Sequence, residues 1–352
     1  MTPRSWLEIS VSKLLHNLNA VRSRLGERTT LMPVLKADAY GHGLERIGKI
    51  LSDLGISSFA VARPDEAVKL RQVLPESEIL VLSGCNDKEA PTFVENRLIA
   101  ALIDARPVPP NLRVEVKVDT GMTRMGIGWD RAARILTSTT ANASGVFSHF
   151  ARADSDAEFS RLQLQRLLKA TAGFGKRQHI CNSAGLRFPE AHLDLVRVGL
   201  AVYGVAPCAG FEDLLPVLSW KSRLLTVRRV KAGEWIGYGS SFQTQRESRI
   251  AIVPVGFADG YPRILSNRSS MLVRGRPAAV VGRVSMDVTC IDVTSIEGVS
   301  PGTEVEVLSS EPNSPLSCAA LATLAGTIPY EILTGIDQRV ERRYVDSVST
   351  VT

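Results

Sequence analysis

Cysteine is scarce and without pattern in this chain of 352 residues. The five, Cys85, Cys181, Cys208, Cys290 and Cys318, are odd in number and none stands in a C-x-x-C pair. That spacing suits neither a zinc site nor a disulfide framework; reduced thiols are expected, and no metal is expected in the site. Long apolar runs are missing too. None approaches the ~18 residues of a spanning helix. Residues 1–15 are polar and mixed, without the apolar core of a secretory leader. A soluble, cytoplasmic protein with no membrane partner is expected. Concentrated charge is also absent. The 42 Lys and Arg exceed the 36 Asp and Glu by a net +6, but they are scattered. The densest groups, Arg228–Arg229 and Arg339 with Arg342 and Arg343, are short and interleaved with apolar residues. Without a basic stripe or a binding motif, nucleic acid is not the expected partner. No G-x-G-x-x-G opens the chain, which weighs against an open dinucleotide-binding sheet.

What is present has two textures. The 44% apolar and 22% charged residues are those of an ordinary globular chain. Its length fits one barrel-sized domain of roughly 200–250 residues plus a smaller one. From about residue 10 to 200, apolar runs alternate with helical patterns. Leu14, Leu18, Val21 and Leu25 mark one helix face, and Leu44, Ile47, Leu51 and Leu54 another. Strand candidates are residues 31–36, 59–62, 79–83, 99–104, 114–119, 146–149, 179–182 and 195–198. Several are continuous in aliphatic residues, as strands buried on both faces should be. Eight such units predict an α/β fold, a closed (β/α)8 barrel of the TIM type. After about residue 215, Gly and Pro punctuate strand-like runs at 224–230, 250–255, 278–281, 288–293 and 304–308, with one clear helix near 318–325. The expected division is residues 1–215 as the barrel and 216–352 as a smaller, mostly β domain.

Reactive side chains gather at the ends of the strand runs, where barrel enzymes build their sites. Lys36-Ala37-Asp38-Ala39-Tyr40-Gly41-His42-Gly43 directly follows an apolar run. A lysine there is costly unless paired, and one reason to keep it is an imine with a cofactor aldehyde. A salt-bridged or snorkelling lysine is the plainer reading of that residue taken alone. Lys117 and Arg124 follow the 114–119 run, and Arg124 could grip a carboxylate bidentately. Two neighbouring cations repel, and Asp119 is a candidate to neutralise them. His149, taken alone, reads as a satisfied core histidine. Ser183, among small residues at a strand-to-helix turn, suits phosphate held by helix N-terminal amides. Arg197 sits at a strand end, and Gly199 permits close backbone approach.

Taken together, Val34-Leu35-Lys36-Ala37-Asp38-Ala39-Tyr40-Gly41-His42-Gly43 resembles the cofactor-lysine motif of alanine racemases. The resemblance continues through residues 117–126, 147–154, 179–185 and 195–204, then Gly237-Tyr238-Gly239, 256–263, 282–287 and 330–334. It implies a fold-type III pyridoxal-phosphate enzyme with an N-terminal barrel and a C-terminal β domain. It also implies a head-to-tail homodimer in which each barrel is completed by the other subunit's β domain. Lys36 would hold pyridoxal 5'-phosphate and then act as base on the D-alanine face. Tyr238, from the partner subunit, would serve the L-alanine face. An ordinary tyrosine is a poor base at neutral pH, so its phenolate needs stabilising, and His149, linked to Arg197, is the implied partner. Arg197 would face the pyridine nitrogen and could only donate to it. Tyr40, Ser183, Gly199, Leu200 and Tyr330 match phosphate-binding positions. Arg124 and the amide of Met286 match substrate carboxylate contacts. Lys117 matches a position often carbamylated in the family. Alanine is the implied substrate, with D-alanine supply for peptidoglycan the implied role. Departures are few: Asp38 stands where Asn is common, and Phe257 where a tyrosine often lies near the substrate entrance. Thr334 occupies a variable position. A racemase for serine would keep these motifs and differ in pocket size. A pyridoxal-phosphate decarboxylase usually pairs the ring nitrogen with a carboxylate and lacks the Tyr238 segment. A noncatalytic carrier would resemble the barrel alone.

Overall fold

The computed structural model describes residues 4–138 and 141–346. They form two compact units. The first consists of Leu15–Val202 and Ala206–Leu214. The second takes the described residues up to Leu14, then Tyr203–Val205 and the chain from Leu215 onward.

The first unit is built on eight parallel strands: β1 (Thr30–Pro33), β2 (Ser58–Val61), β3 (Glu78–Val81), β4 (Ile99–Leu102), β5 (Arg113–Asp119), β6 (Ala143–Phe147), β7 (Arg177–His179) and β8 (Leu195–Val198). Each lies within or beside one of the eight expected runs. β2 to β7 pair in chain order, and β8 pairs with β1. Two seams close the ring. Leu35 N–H donates to Ala60 O at 2.8 Å, beside a Val34–Ala60 bridge, joining β1 to β2. Arg197 N–H donates to Cys181 O at 3.0 Å, joining the β7 and β8 segments. Every residue of β2, β4 and β8 is buried, which is why these runs show no polar alternation.

Helices supply most of the crossovers. Leu44–Asp53 buries Leu44, Ile47 and Leu51 of the predicted apolar stripe, while Leu54, its fourth member, stands at the C-terminal cap and is half-buried. Pro64–Val73 starts on proline, whose missing N–H costs nothing in a first turn. Ala157–Ala170 is capped by Asp156, which accepts from Phe159 N–H. Between β7 and β8 stand only two short 3-10 turns, Ala184–Arg187 and Pro189–Ala191.

The second unit carries a six-stranded sheet in the order Arg276–Ala279, Ser270–Val273, Glu304–Leu308, Leu218–Arg223, Ser5–Ser10, Glu341–Val345. Its neighbours are antiparallel except Ser5–Ser10 with Glu341–Val345. A three-stranded sheet joins Thr226–Val230, Ser248–Val253 and Thr289–Asp292. Ile236, Ile250 and Val281 form a buried cluster in this unit. Ser5–Ser10, which the sequence pattern left unassigned at the head of the barrel, pairs here because Trp6, Leu7 and Ile9 are buried in this sheet. A second helix, Pro329–Thr334, follows Cys318–Ala325. Among the described residues no helix is long and apolar enough to cross a membrane.

Candidate active site

Lys36 follows β1 and enters an unusual turn. Ala37, Asp38, Ala39 and Tyr40 have φ of 53°, 55°, 54° and 54°. L-residues resist this left-handed region by about 1–2 kcal/mol each, so such a turn persists only where its surroundings hold it. The turn is made largely from residues with a Cβ, with Gly41 and Gly43 following it. It is held by local bonds: Ala39 N–H to Leu35 O at 2.8 Å, Gly41 N–H to Ala37 O at 3.0 Å and Gly43 N–H to Asp38 O at 2.9 Å. Asp38 Oδ1 also accepts from Leu44 N–H at 2.8 Å. An asparagine oxygen would do the same, which makes the departure at Asp38 a mild one. Lys36 itself is half-buried. Burial and then the nearby Arg124 charge push its amine pKa down, while Glu66 opposes them.

One end of the site suits a phosphate. A Cβ added at Gly199 would lie 2.3 Å from Tyr40 Oη, so only glycine admits the tyrosine there. Ser183 Oγ accepts from Gly199 N–H at 3.2 Å and Ala201 N–H at 3.4 Å. Tyr40, Ser183, Gly199 and Leu200 thus come together after β1, β7 and β8. This corrects the expected setting of Ser183. Its neighbours are amides after β8, because the segment that follows it is a single 3-10 turn, too short to present a helix terminus. Hydroxyls and backbone amides brought together in this way are a donor set that fits a bound phosphate.

The other end is a buried relay. Arg197, on β8, is 2% exposed. It donates from Nη2 to Ser148 O at 2.6 Å and to His149 Nδ1 at 3.2 Å. Its Nη1 donates to His179 Nδ1, and His179 Nε2 lies 2.7 Å from Glu115 Oε2. Guanidinium only donates, so both histidines accept at Nδ1 and carry hydrogen at Nε2. His179 therefore donates to Glu115, and His149 keeps an Nε2–H to offer. Burial, then the Arg197, Lys117, Lys36 and Arg124 charges, hold the His149 pKa well below its usual value. Burial also lowers His179 to about 4, against the Glu115 charge. Arg177 binds Glu115 as well, with Nε donating at 3.0 Å, and pairs with Glu78 at 2.6 Å. Sequence reasoning missed Glu115, His179 and Arg177 as a set. The available signal was alternation in β5: Glu115, Lys117 and Asp119 share one face and Val114, Val116 and Val118 the other.

Lys117 is 5% exposed. Burial, then Arg197 and Arg124, bring its pKa down to about 8. The Asp119 charge opposes that lowering, as expected of a neutralising partner, but the side chain does more than balance charge. Its Oδ1 accepts from the amides of Gly121, Met122 and Thr123 at 2.8, 3.0 and 3.1 Å, which shapes the turn carrying Arg124. Lys36, Lys117, Arg124 and Arg197 leave this end of the barrel cationic, as a phosphate and a carboxylate require.

The remaining candidates lie in the second unit. Tyr238 heads the short turn Tyr238–Ser240 and is 73% exposed. Met286 is 56% and Phe257 41% exposed. These two are brought side by side: Phe257 N–H donates to Ser285 O at 3.0 Å and Ala258 N–H to Met286 O at 3.0 Å. A Cβ at Gly256 would strike Met286 O at 2.2 Å, so this approach requires glycine. Tyr330 stands in Pro329–Thr334.

The family description "Alanine racemase, N-terminal domain" matches residues 9–207, and "Alanine racemase, C-terminal domain" matches residues 217–344. The alanine racemase of Syntrophobacter fumaroxidans is 40% identical, covering 94% of this chain and 95% of its own. That of Carboxydothermus hydrogenoformans is 38% identical, covering 97% and 99%. Among solved structures, the alanine racemase from D-cycloserine-producing Streptomyces lavendulae has a TM-score of 0.89 at 31% identity, covering 99% of both chains. The Bartonella henselae alanine racemase, solved with covalently bound pyridoxal phosphate, has a TM-score of 0.88 at 28% identity, covering 97% of this chain and 100% of its own. Barrel and β unit alike are those of a pyridoxal-phosphate-dependent amino-acid racemase. The likeness runs through both units, unlike that of a carrier built on a barrel alone. Within that class the chain belongs to the alanine racemase family and interconverts L- and D-alanine.

Proposed function

We propose that Lys36 and Tyr238 are the two bases of this racemase, placed on opposite faces of the alanine Cα. Inversion requires a proton taken from one face and delivered to the other. The observation that carries the reading is the setting of Lys36: a half-buried lysine beside Arg124, with its pKa pushed down toward proton exchange. Pyridoxal phosphate, when bound, supplies an aldehyde for covalent attachment and a ring that draws electrons from Cα. Tyr40, Ser183, Gly199 and Leu200 would hold its phosphate, and Tyr330 matches a further phosphate-binding position of the family. Arg197 meets the ring nitrogen and, as a pure donor, keeps that nitrogen from carrying its own proton. Arg124 and the Met286 amide hold the substrate carboxylate. His149 offers its Nε2–H to the phenolic oxygen of Tyr238 and stabilises the anion.

Tyr238, Met286 and Phe257 are exposed in the single chain, and a second copy of this chain is the partner that covers them. The active unit is then a homodimer in which the barrel of one copy uses the second unit of its partner. The cellular role is cytoplasmic D-alanine supply for peptidoglycan.

Lys117 is carbamylated in this reading. The ammonium first gives up one proton; the neutral amine then attacks carbon dioxide, an N–C bond forms as one C=O π bond opens onto oxygen, and a second proton leaves the nitrogen, so that a cation becomes an anion beside Arg124. A pKa near 8 leaves the neutral amine available for that step. Native mass or electron density showing the added carboxyl is the expected result; a plain lysine in bicarbonate buffer removes the modification.

The direct test of function is D-alanine formation from L-alanine by the loaded enzyme, with L-serine in parallel. Faster turnover of alanine is expected. Preference for serine moves the specificity and makes Phe257 the residue to exchange for tyrosine. Inversion of neither substrate ends the reading.

A further inference from the structure

Glu66 has three bonds where a helix cap needs fewer. Its Oε2 accepts from Ala62 N–H at 2.9 Å and Arg63 N–H at 3.0 Å, at the start of Pro64–Val73. That is the backward reach of a third-position glutamate in a capping box. Its Oε1 leaves the helix and accepts from Ala37 N–H at 2.7 Å. Ala37 opens the left-handed turn, and its amide lies too early in that turn to find a partner inside it. One carboxylate thus ties the end of β2 to the residue next to Lys36 by charge-assisted bonds.

We propose that Glu66 is a positioning residue for Lys36, fixing the left-handed turn and thereby the place of the lysine amine. This rests on the reading of Lys36 as cofactor-holding base. Leu35, at the base of the turn, is tied to β2 through Ala60 O, while the Ala39, Gly41, Gly43 and Leu44 amide bonds lie within residues 35–44 and would travel with the turn if it moved. Glu66 anchors it to a neighbouring strand. Its charge also stands against the burial and the Arg124 charge that lower the Lys36 amine. A glutamine keeps the shape but has only one oxygen, so its NH2 must face an N–H on one side. An aspartate keeps the charge and still reaches Ala62 and Arg63, but falls short of Ala37.

The test compares wild type, Glu66→Gln and Glu66→Asp as apoenzyme and holoenzyme. In the apoenzyme, hydrogen exchange of the segment spanning residues 36–43 is expected to quicken ~10-fold or more in both variants, as an anchored opening becomes local. Exchange across residues 64–73 is expected to stay near wild type in Glu66→Asp. The pH midpoint for labelling Lys36 with an amine reagent should fall in Glu66→Gln, which lacks the charge, and less in Glu66→Asp. In the holoenzyme, kcat should drop about 10- to 100-fold with KM for alanine little changed, since a misplaced base costs the chemical step. The Cα-deuterium effect should rise for D-alanine, the face given to Lys36, more than for L-alanine.

If residues 36–43 exchange as in wild type in both variants and only the helix start loosens, Glu66 is a cap and the proposal is overturned. Glu66→Asp keeps that decision available if Glu66→Gln does not fold. The apoenzyme exchange does not depend on Lys36 being a base, so an active Lys36→Ala enzyme would refute that reading separately.

Discussion

Lys36→Ala and Tyr238→Phe should each lose racemisation by about 100- to 10,000-fold, the range for removing a positioned acid or base. Produced together in one cell, they should recover activity. A mixed dimer places both changes in one site and leaves the other with an intact Lys36 and an intact Tyr238. Random assortment makes half the dimers mixed, each with one working site of two, so specific activity returns to about a quarter of wild type. Dimers isolated by two different tags should reach about half. The expectation follows from Tyr238 being 73% exposed in the single chain while its proposed chemistry needs a sheltered phenolate. A mixture as inactive as its parents would place both bases on one chain. Tyr238→Phe should also still exchange solvent deuterium into D-alanine with retention, because the Lys36 face remains. Loss of that exchange would contradict the division of faces.

The barrel was legible because its strands carry their own signature. Continuous aliphatic runs such as Phe59-Ala60-Val61 and Leu80-Val81 are what burial on both faces selects. The N-terminal strand was not. Ser5–Ser10 mixes Trp6, Leu7 and Ile9 with polar residues, and only its pairing with residues more than 200 positions away makes it a strand. The motifs placed Lys36, Arg197 and Ser183 in the site, but not the bonds that govern them. The left-handed turn after Lys36 is invisible in a run of Ala, Asp, Ala and Tyr, since none of these residues favours it. Glu66 lies 30 positions along the chain and reads as an ordinary first-turn glutamate. Glu115 and His179 share a site only because the barrel brings β5 and β7 within reach of one another.

That interior pair carries the other large expected effect, on stability. Glu115 is fully buried, and both its oxygens are bound, to His179 and to Arg177. Glu115→Gln should destabilise the barrel by about 3–5 kcal/mol, because removing one member of a buried ion pair leaves the other charge poorly compensated. For a domain of this size that corresponds to a Tm lower by roughly 6–20 °C. The pH dependence separates this from a loss of packing. Burial by itself would raise the Glu115 pKa from 4.5, but the His179 and Arg177 charges and bonds outweigh it and set it at about 2. A depressed carboxylate stabilises the fold fully above its unfolded value and loses that contribution as pH falls through the folded one. The gap between wild type and variant should therefore be widest near neutrality and narrow from about pH 4.5 toward pH 2. His179 adds a separate acid sensitivity. It is held neutral down to about pH 4, so unfolding takes up a proton below pH 6.5. That term is larger in Glu115→Gln, where the histidine has lost the charge that favoured its protonated form and stays neutral further into acid, so the gap should narrow most steeply between about pH 4.5 and pH 4 and more slowly below. In Glu115→Gln, Arg197 still requires a lone pair at His179 Nδ1, but the neutral amide oxygen accepts the Nε2–H more weakly than a carboxylate, so the bond that orients His179 beneath Arg197 loosens. Activity should fall about 10- to 100-fold, the cost of losing an outer partner that orients an inner one. Urea unfolding at several pH values measures the first effect and steady-state turnover the second. A gap below ~1 kcal/mol that stays constant with pH would mean that Glu115 fills space in the barrel and does not set the charges around Arg197.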